Sequence, residues 1–291
     1  MMLGINTNGA SLNAQMNLGR SQGSLDTSIG RLSSGLRVNS AKDDAAGLAI
    51  AERMTAQIRG FDTAARNAND GISLLQVADG ALGKISDNLQ RMRELGVQSK
   101  NGTLNATDRA NLDREFQELS SEVQRVAFGT TFNGNSTFAA ANKSTSLQIG
   151  TGNATTDTLA VNLTNNGNAA GNDLQTVLGN GTPAAANVAA YLGAVDSVAN
   201  ATTAITNIDA TIDNITNLRA TVGAGLSRLE QVASSLTTSS NNLSSAKGRI
   251  VDADFAKETA NLTRAQILQQ AGTAMLAQAN QLPQNVLSLL R

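Results

Sequence analysis

Adjacent carboxylates at Asp43 and Asp44 are the residues of this chain best placed for chemistry, either as an acid–base pair or as metal ligands. Ser40 lies three residues before Asp43, which is the spacing of a capping box at a helix N-terminus. Carboxylates in that position accept hydrogen bonds from free backbone amides and interact favourably with the helix dipole. We therefore predict that these residues begin a helix and do not form a catalytic or metal site.

The composition removes most other routes to catalysis. The 291-residue chain contains no His and no Cys, so it lacks the commonest general base and every thiol nucleophile or thiolate ligand. Gly150-Thr-Gly152 lacks the third glycine and the following helix of a dinucleotide-binding motif, so we interpret it as a turn. The sequence predicts a protein that is not an enzyme and that has no cofactor or metal.

Charge and hydropathy argue against two classes of partner. The chain carries 22 Lys and Arg against 23 Asp and Glu, without the basic cluster that contacts with nucleic-acid phosphates require. No apolar run reaches the length of a membrane span. Residues 1–30 also lack the continuous apolar core of a secretory signal. The chain is expected to be either cytoplasmic or exported by a machine that cleaves no signal.

Apolar residues at alternating steps of three and four predict long helices, near both ends of the chain, that pack on each other as a rod. The predicted core of the rod is Leu75, Leu82, Leu89, Leu112, Phe116, Leu119, Ile208, Ile215, Val222, Leu229 and Leu236. A second seam lies closer to the chain ends and comprises Leu18, Leu25, Ile29, Leu32, Leu268, Met275, Leu282, Val286 and Leu289.

Helices are expected over about residues 1–39, 44–100, 108–129, 203–246 and 252–291. The first is weakened by several glycines, and Pro283 implies a kink or local break in the last.

The middle of the chain is rich in Asn, Thr, Ala and Gly and has a different pattern. Asn133-Gly134 is typical of a tight turn. Polar and apolar residues alternate over 146–149 and 158–163, which predicts a β-hairpin.

Two blocks of this chain resemble the amino-terminal signature of bacterial flagellin: IGRLSSGLRVNSAKDDAAGLAI at residues 29–50 and NANDGISLLQ at 67–76. Its carboxy-terminal signature is similar to NLSSAKGRI at 242–250 and RAQILQQAG at 264–272. The last residues of many flagellins resemble QNVLSLLR at 284–291.

The resemblance covers roughly residues 1–135 and 204–291, and it implies a mainly α fold: a long coiled-coil rod of paired N- and C-terminal segments with a small β-hairpin region. An inner terminal coiled-coil domain would comprise residues 1–44 plus 251–291. A helical rod domain with the hairpin would comprise residues 45–180 plus 200–250. Residues 181–199 would be a short variable outer segment, since the large outer domains of the family are absent.

The resemblance implies a structural subunit of the flagellar filament, exported unfolded and self-assembling into a helical tube for motility. Its implied partners are copies of itself, the hook-associated junction and cap proteins, a flagellin export chaperone and the type III export apparatus, and its implied location is the extracellular filament. A chain without Cys and with only two Pro suits export in the unfolded state. The glycine-interrupted ends are expected to be disordered in the monomer and to order on assembly.

QRMRELGV at residues 90–97 resembles the flagellin segment recognised by Toll-like receptor 5, the animal receptor that senses flagellin. The family's key residues align with Arg91, Leu95 and, on a partner helix, Glu115. Arg91 and Leu95 share a helix face about 110° from the apolar seam, which predicts that both point outward. The same surface could instead be a solvated face or a contact with the next subunit, and the resemblance implies that it serves both contacts.

Two other interpretations share part of this pattern. A hook–filament junction protein has similar terminal helices, but the full signature at both ends favours the filament subunit. An enzyme domain inserted in the variable region would need a nucleophile or metal site, and residues 135–203 contain no His, Cys or Glu.

Overall fold

The computed structural model describes residues 8–138, 144–152, 154–163 and 186–289. In chain order its elements are α1 (Gly9–Ser34), α2 (Ala45–Ser99), α3 (Ala106–Gly129), β1 (Thr131–Phe132), β2 (Asn135–Ser136), β3 (Ser144–Gln148), β4 (Thr158–Asn162), α4 (Ala186–Leu192), α5 (Val198–Val251) and α6 (Phe255–Leu289). The predicted mainly α fold with a small β part is confirmed. No helix in the described ranges is both long and apolar enough to cross a membrane.

Helix α6 continues through Pro283, so the predicted local break does not occur there. Proline removes one backbone donor from a helix, but the turns on both sides remain helical. Helix α5 begins at Val198, earlier than the periodicity indicated.

The chain divides into two compact units. Residues 1–58 and 241–291 form the terminal unit, and residues 59–240 form the central unit. This division falls inside α2 and α5. Within the terminal unit, Ala51 of α2 and Val251 of α5 share a small apolar core with Val38.

Helix α2 begins after a turn formed by Ser40 and Asp43. Asp43 Oδ2 accepts hydrogen bonds from the backbone amide and the hydroxyl of Ser40, both at 2.9 Å. The cap of the helix is the next residue, since Asp44 Oδ1 accepts a 2.8 Å hydrogen bond from the Gly47 amide. The prediction that these carboxylates begin a helix is confirmed, with Asp44 in place of Ser40 as the cap. Within the described residues, no group of three acidic side chains is placed to hold a metal ion.

Two antiparallel hairpins follow α3. Strands β1 and β2 are joined by Asn133 and Gly134, whose φ angles of 50° and 76° suit the mirror-image turn that Asn-Gly favours. Strands β3 and β4 pair from Ser144 opposite Asn162 to Gln148 opposite Thr158. Both predicted hairpin features are therefore present.

Helices α2, α3, α4 and α5, with the second hairpin, supply one apolar core in the central unit. Helices α2 and α5 run antiparallel, as two ion pairs show: Arg93 with Asp209 at 2.6 Å and Asp79 with Arg219 at 2.9 Å. On β4, Leu159 and Val161 are buried while Ala160 between them is exposed. The Asn67 side-chain amide donates a 2.9 Å hydrogen bond to the Gln148 carbonyl and attaches the hairpin to α2.

Residues 181–199 do not form the outer segment that the sequence predicted, as far as they are described. Residues 181–185 lie outside the described residues, but Val188, Leu192 and Val195 are fully buried in the central core. Val188 and Leu192 are four residues apart on one face of α4, and Val195 follows the end of that helix. The surrounding Ala- and Asn-rich composition obscures this apolar pattern.

Candidate assembly surface

Helices α1 and α6 pack antiparallel within the terminal unit. At one end, the Asn8 side-chain amide donates a 2.8 Å hydrogen bond to the Ala279 carbonyl. At the other end, Arg31 Nη1 lies 3.2 Å from Glu258 Oε1. Polar contacts at both ends thus set how far one helix is displaced along the other.

The seam between the two helices is made mostly of small and polar side chains. Its more buried positions recur at steps of three, four or seven residues. On α1 they include Ser11, Leu18, Ser21, Leu25, Ser28 and Leu32, and on α6 Glu258, Ala265, Gly272 and Ala279. On α1 the pattern includes the predicted Leu18, Leu25 and Leu32, whereas the α6 positions contain no large apolar residue, so a search for apolar heptads finds only the α1 side.

Leu18 and Gly272 make the closest approach in the middle of this seam. A β-carbon added at Gly272 would lie 3.3 Å from Leu18 Cδ1, which is tighter than an ordinary van der Waals contact. Glycine at this position therefore allows the leucine to seat against the α6 backbone.

The ion pair between Arg31 and Glu258 is partly enclosed, with side-chain exposures of 31% and 9%. Arg31 Nε and Glu258 Oε2 are buried and have no hydrogen-bond partner in the described part of the chain. The sequence alone does not predict this pair, because no local pattern relates residues 227 positions apart.

Large apolar side chains remain exposed on the outside of the α1–α6 pair. Leu12 and Met16 of α1 are 59% and 52% exposed, and Ile267 and Met275 of α6 are 60% and 64% exposed. A groove of about 1180 Å³ lies along one side of the pair, and its large apolar lining residues are Leu268 and Met275. Several exposed large apolar side chains on one pair of helices indicate an interaction site.

The predicted seam residues therefore divide into three groups. Leu18, Leu25 and Leu32 are half-buried on the α6-facing side of α1, while Ile29 is 48% exposed. Leu268 and Met275 are 51% and 64% exposed, whereas the more buried positions of α6 are the small residues Ala265, Gly272 and Ala279. The side chains of Leu282, Val286 and Leu289 lie outside the described residues.

The structure buries most of the side chains predicted for the rod core. The buried set is Leu75, Leu82, Leu89, Phe116, Ile208, Ile215, Val222, Leu229 and Leu236. Leu112 and Leu119 of α3 are half-buried and pack against this core.

Arg91 and Glu115 meet on the surface of the central unit, where α2 faces α3. Arg91 Nη2 lies 2.9 Å from Glu115 Oε1, and Arg91 Nη1 lies 2.9 Å from Glu94 Oε2. All three side chains are about half exposed or more, so they form a charged surface that a partner could contact.

The prediction that Leu95 points outward with Arg91 is wrong. Leu95 is fully buried in the central core. Helix α2 contacts α3 through Arg91 and α5 through Arg93, so its buried arc is wider than that of a helix with one partner. A side chain about 110° from the main seam is covered in such an arrangement.

Hydrogen bonding stabilises the charged forms of these surface groups. Hydrogen bonds to Glu94 and then Glu115 raise the pKa of Arg91, and a hydrogen bond to Asp209 raises the pKa of Arg93. Hydrogen bonds from Ser40 lower the pKa of Asp43. The arginines therefore stay protonated, and this surface keeps its cationic groups across the neutral pH range.

Comparison with known proteins identifies the family of the chain. The bacterial flagellin N-terminal helical region matches residues 5–143, and the bacterial flagellin C-terminal helical region matches residues 205–290. The chain belongs to the bacterial flagellin family. Flagellin from Halalkalibacterium halodurans is 43% identical over 287 residues, with 99% of both chains covered. The flagellar filament 33 kDa core protein of Treponema phagedenis is 40% identical over 294 residues, again with 99% of both chains covered.

Membership of the flagellin family gives the broad function of the chain. This flagellin is a structural subunit of the flagellar filament and polymerises with copies of itself. It is a structural protein and not an enzyme, and its place is the extracellular flagellum.

Proposed function

We propose that the α1–α6 pair is the segment through which copies of this flagellin join in the filament. The terminal coiled-coil domain of residues 1–44 and 251–291 would contain the joining surface, and residues 45–180 with 200–250 would carry the helical domain. The supporting observation is that most large apolar side chains exposed in the described residues lie on α1 or α6. Burying them against other copies would supply free energy for assembly.

Two single substitutions, each of an exposed aliphatic residue by Gln, test this proposal. Leu268→Gln places a polar group on the α6 surface, where the leucine is 51% exposed, and Val77→Gln does so on α2 of the central unit, where the valine is 40% exposed. We expect Leu268→Gln to raise the critical concentration for seeded filament growth by about tenfold and Val77→Gln to change it little.

Sedimentation of filaments after seeding measures both effects, and circular dichroism checks that each monomer keeps its helical content. Growth of Leu268→Gln at the wild-type critical concentration would rule out this face as a subunit contact.

We propose a second role for the surface of Arg91 and Glu115, as a contact with the next subunit and, in the free monomer, with Toll-like receptor 5. The exposed, paired charges support it, and the buried Leu95 would support the surface from beneath. Arg91→Ala should reduce receptor-dependent reporter activation, whereas Arg125→Ala, in the exposed Glu122–Arg125 pair of α3, should not. Equal activation by both variants would contradict the receptor role.

We propose that the chain leaves the cell unfolded through the flagellar type III apparatus, bound beforehand by an export chaperone. It would then meet the hook-associated junction proteins at the filament base and the cap at the tip. The absence of Cys and the presence of only two Pro support this route. Recovery of full-length chain from the medium of a strain that lacks the export apparatus would contradict it.

A further inference from the structure

Methionine dominates the oxidation chemistry available to this chain. The sequence has six Met but no Cys, Trp or His, and it has one Tyr. Peroxides convert the methionine thioether to a sulfoxide, a polar group on a side chain that was apolar. Mild oxidation of this flagellin therefore falls on methionine.

The described methionines differ sharply in exposure. Met16 on α1 and Met275 on α6 are 52% and 64% exposed, whereas Met92 on α2 is fully buried. Met54 is half-buried, and Met1 and Met2 lie outside the described residues. Because oxidation follows access to the sulfur, Met16 and Met275 should react first among the described methionines.

Both exposed methionines lie on the α1–α6 pair. Met16 is four residues from Leu12 and shares its exposed face of α1. Met275 lines the groove beside the pair, seven residues from Leu268 on the same α6 wall. These are the faces that the proposed function assigns to contact between copies.

We propose that Met16 and Met275 form an oxidation-sensitive site through which peroxide blocks filament assembly, an inference that rests on the proposed joining role of α1 and α6. Each sulfur takes one oxygen atom from hydrogen peroxide, and the peroxide is reduced to water. Assembly would then bury a sulfoxide oxygen in an apolar contact without a hydrogen-bond donor, which is unfavourable. A methionine sulfoxide reductase with a dithiol reverses the step, releasing the oxygen as water and forming a disulfide in the dithiol.

The test treats full-length monomer with hydrogen peroxide, quenches it, and measures seeded growth on untreated filament fragments. Peptide mass spectrometry measures the sulfoxide at every methionine, including Met1 and Met2. We expect sulfoxide mainly at Met16 and Met275 and a rise of about tenfold in the critical concentration. Reductase treatment should restore growth.

Two variants provide the controls. The double variant Met16→Leu/Met275→Leu removes both exposed sulfurs and keeps the apolar volume, so peroxide should not change its critical concentration from the value that the same variant has before treatment. Met92→Leu leaves both exposed sulfurs in place and should stay as sensitive as the wild type. Sulfoxide at Met16 and Met275 with unchanged growth, or equal sensitivity of the double variant, would overturn the proposal.

Peroxide treatment of preformed filaments separates this inference from the proposed function. Protection of Met16 and Met275 in filaments, together with normal growth of oxidised monomer, would overturn the oxidation site alone. Equal reaction in filaments and monomer would show that these faces are not buried between copies, which contradicts both proposals.

Discussion

The two units of this flagellin use their apolar residues in opposite ways. The central unit buries Leu75, Leu82, Leu229 and Phe116 almost completely in one continuous core. In the terminal unit the small buried core around Val38 is joined by a helix seam of small and polar residues, while large apolar side chains such as Met275 remain exposed. The central unit thus buries most of its large apolar side chains within one chain, whereas the terminal unit leaves several of them exposed.

The difference should appear most strongly in amide hydrogen exchange of free monomer. Amides of α1 and α6 have few buried apolar contacts to protect them, whereas α2 and α5 in the central unit flank a closed core. We expect exchange to be about a thousandfold faster or more in the terminal helices. Strong protection of α1 and α6 in free monomer would contradict the expectation that these ends order on assembly.

Truncating one leucine in each unit sharpens the comparison. Leu229→Ala should lower the free energy of unfolding of the monomer by about 2–5 kcal/mol, because it leaves a cavity in a packed core. Leu268→Ala, at an exposed position, should change it by less than about 0.5 kcal/mol. Urea unfolding of both monomers measures the difference, and similar losses would mean that the terminal unit is packed like the central one.

The glycine at the centre of the terminal seam offers a more selective change. Gly272→Leu should displace Leu18 and weaken the α1–α6 pair, so that seeded assembly declines while unfolding of the central unit is unchanged. Gly19→Leu is the matched control, since a β-carbon at Gly19 would meet nothing within 4 Å. Normal assembly of Gly272→Leu would show that the close approach at Leu18 is dispensable.

Replacing one carboxylate in each unit by Ala should give the smallest effects, and these effects should still differ between the two units. Glu258→Ala removes the partly enclosed partner of Arg31 and should destabilise the α1–α6 pair by about 1–3 kcal/mol. Asp209→Ala removes the partner of an arginine in solvent and should have little effect. Exchange rates of reporter amides in α1 and α5, measured in assembled filaments where both helices are expected to be ordered, compare the two variants. A larger effect of Asp209→Ala would contradict the expected ranking.

Periodicity and turn chemistry predicted the parts of the fold that depend on local sequence. Each of three local patterns favours one backbone conformation. They are the heptad from Ile208 to Leu236, the Asn133-Gly134 turn and the alternation in β3 and β4. The start of α2 was also predicted from local sequence, although the cap is Asp44 and not Ser40.

The remaining features depend on partners that the sequence does not align. The burial of Leu95 follows from α2 contacting two other helices at once. Helix α4 buries Val188 and Leu192 although its composition resembles that of a surface loop. The α1–α6 seam uses Gly272 and Glu258, residue types that a search for apolar repeats passes over.

The pairing of α2 with α5 also governs the folding kinetics of the chain. Asp79 and Arg219 are 140 residues apart, and Asn8 and Ala279 are 271 apart. Folding slows as the sequence separation of contacting residues increases, since long loops must close before their contacts form. Helices α2 and α3 are close in sequence and can pair early, but the contacts of α2 with α5 cannot form until residues beyond 198 are available. A chain with this contact order therefore cannot complete its native fold until nearly all of its residues are available.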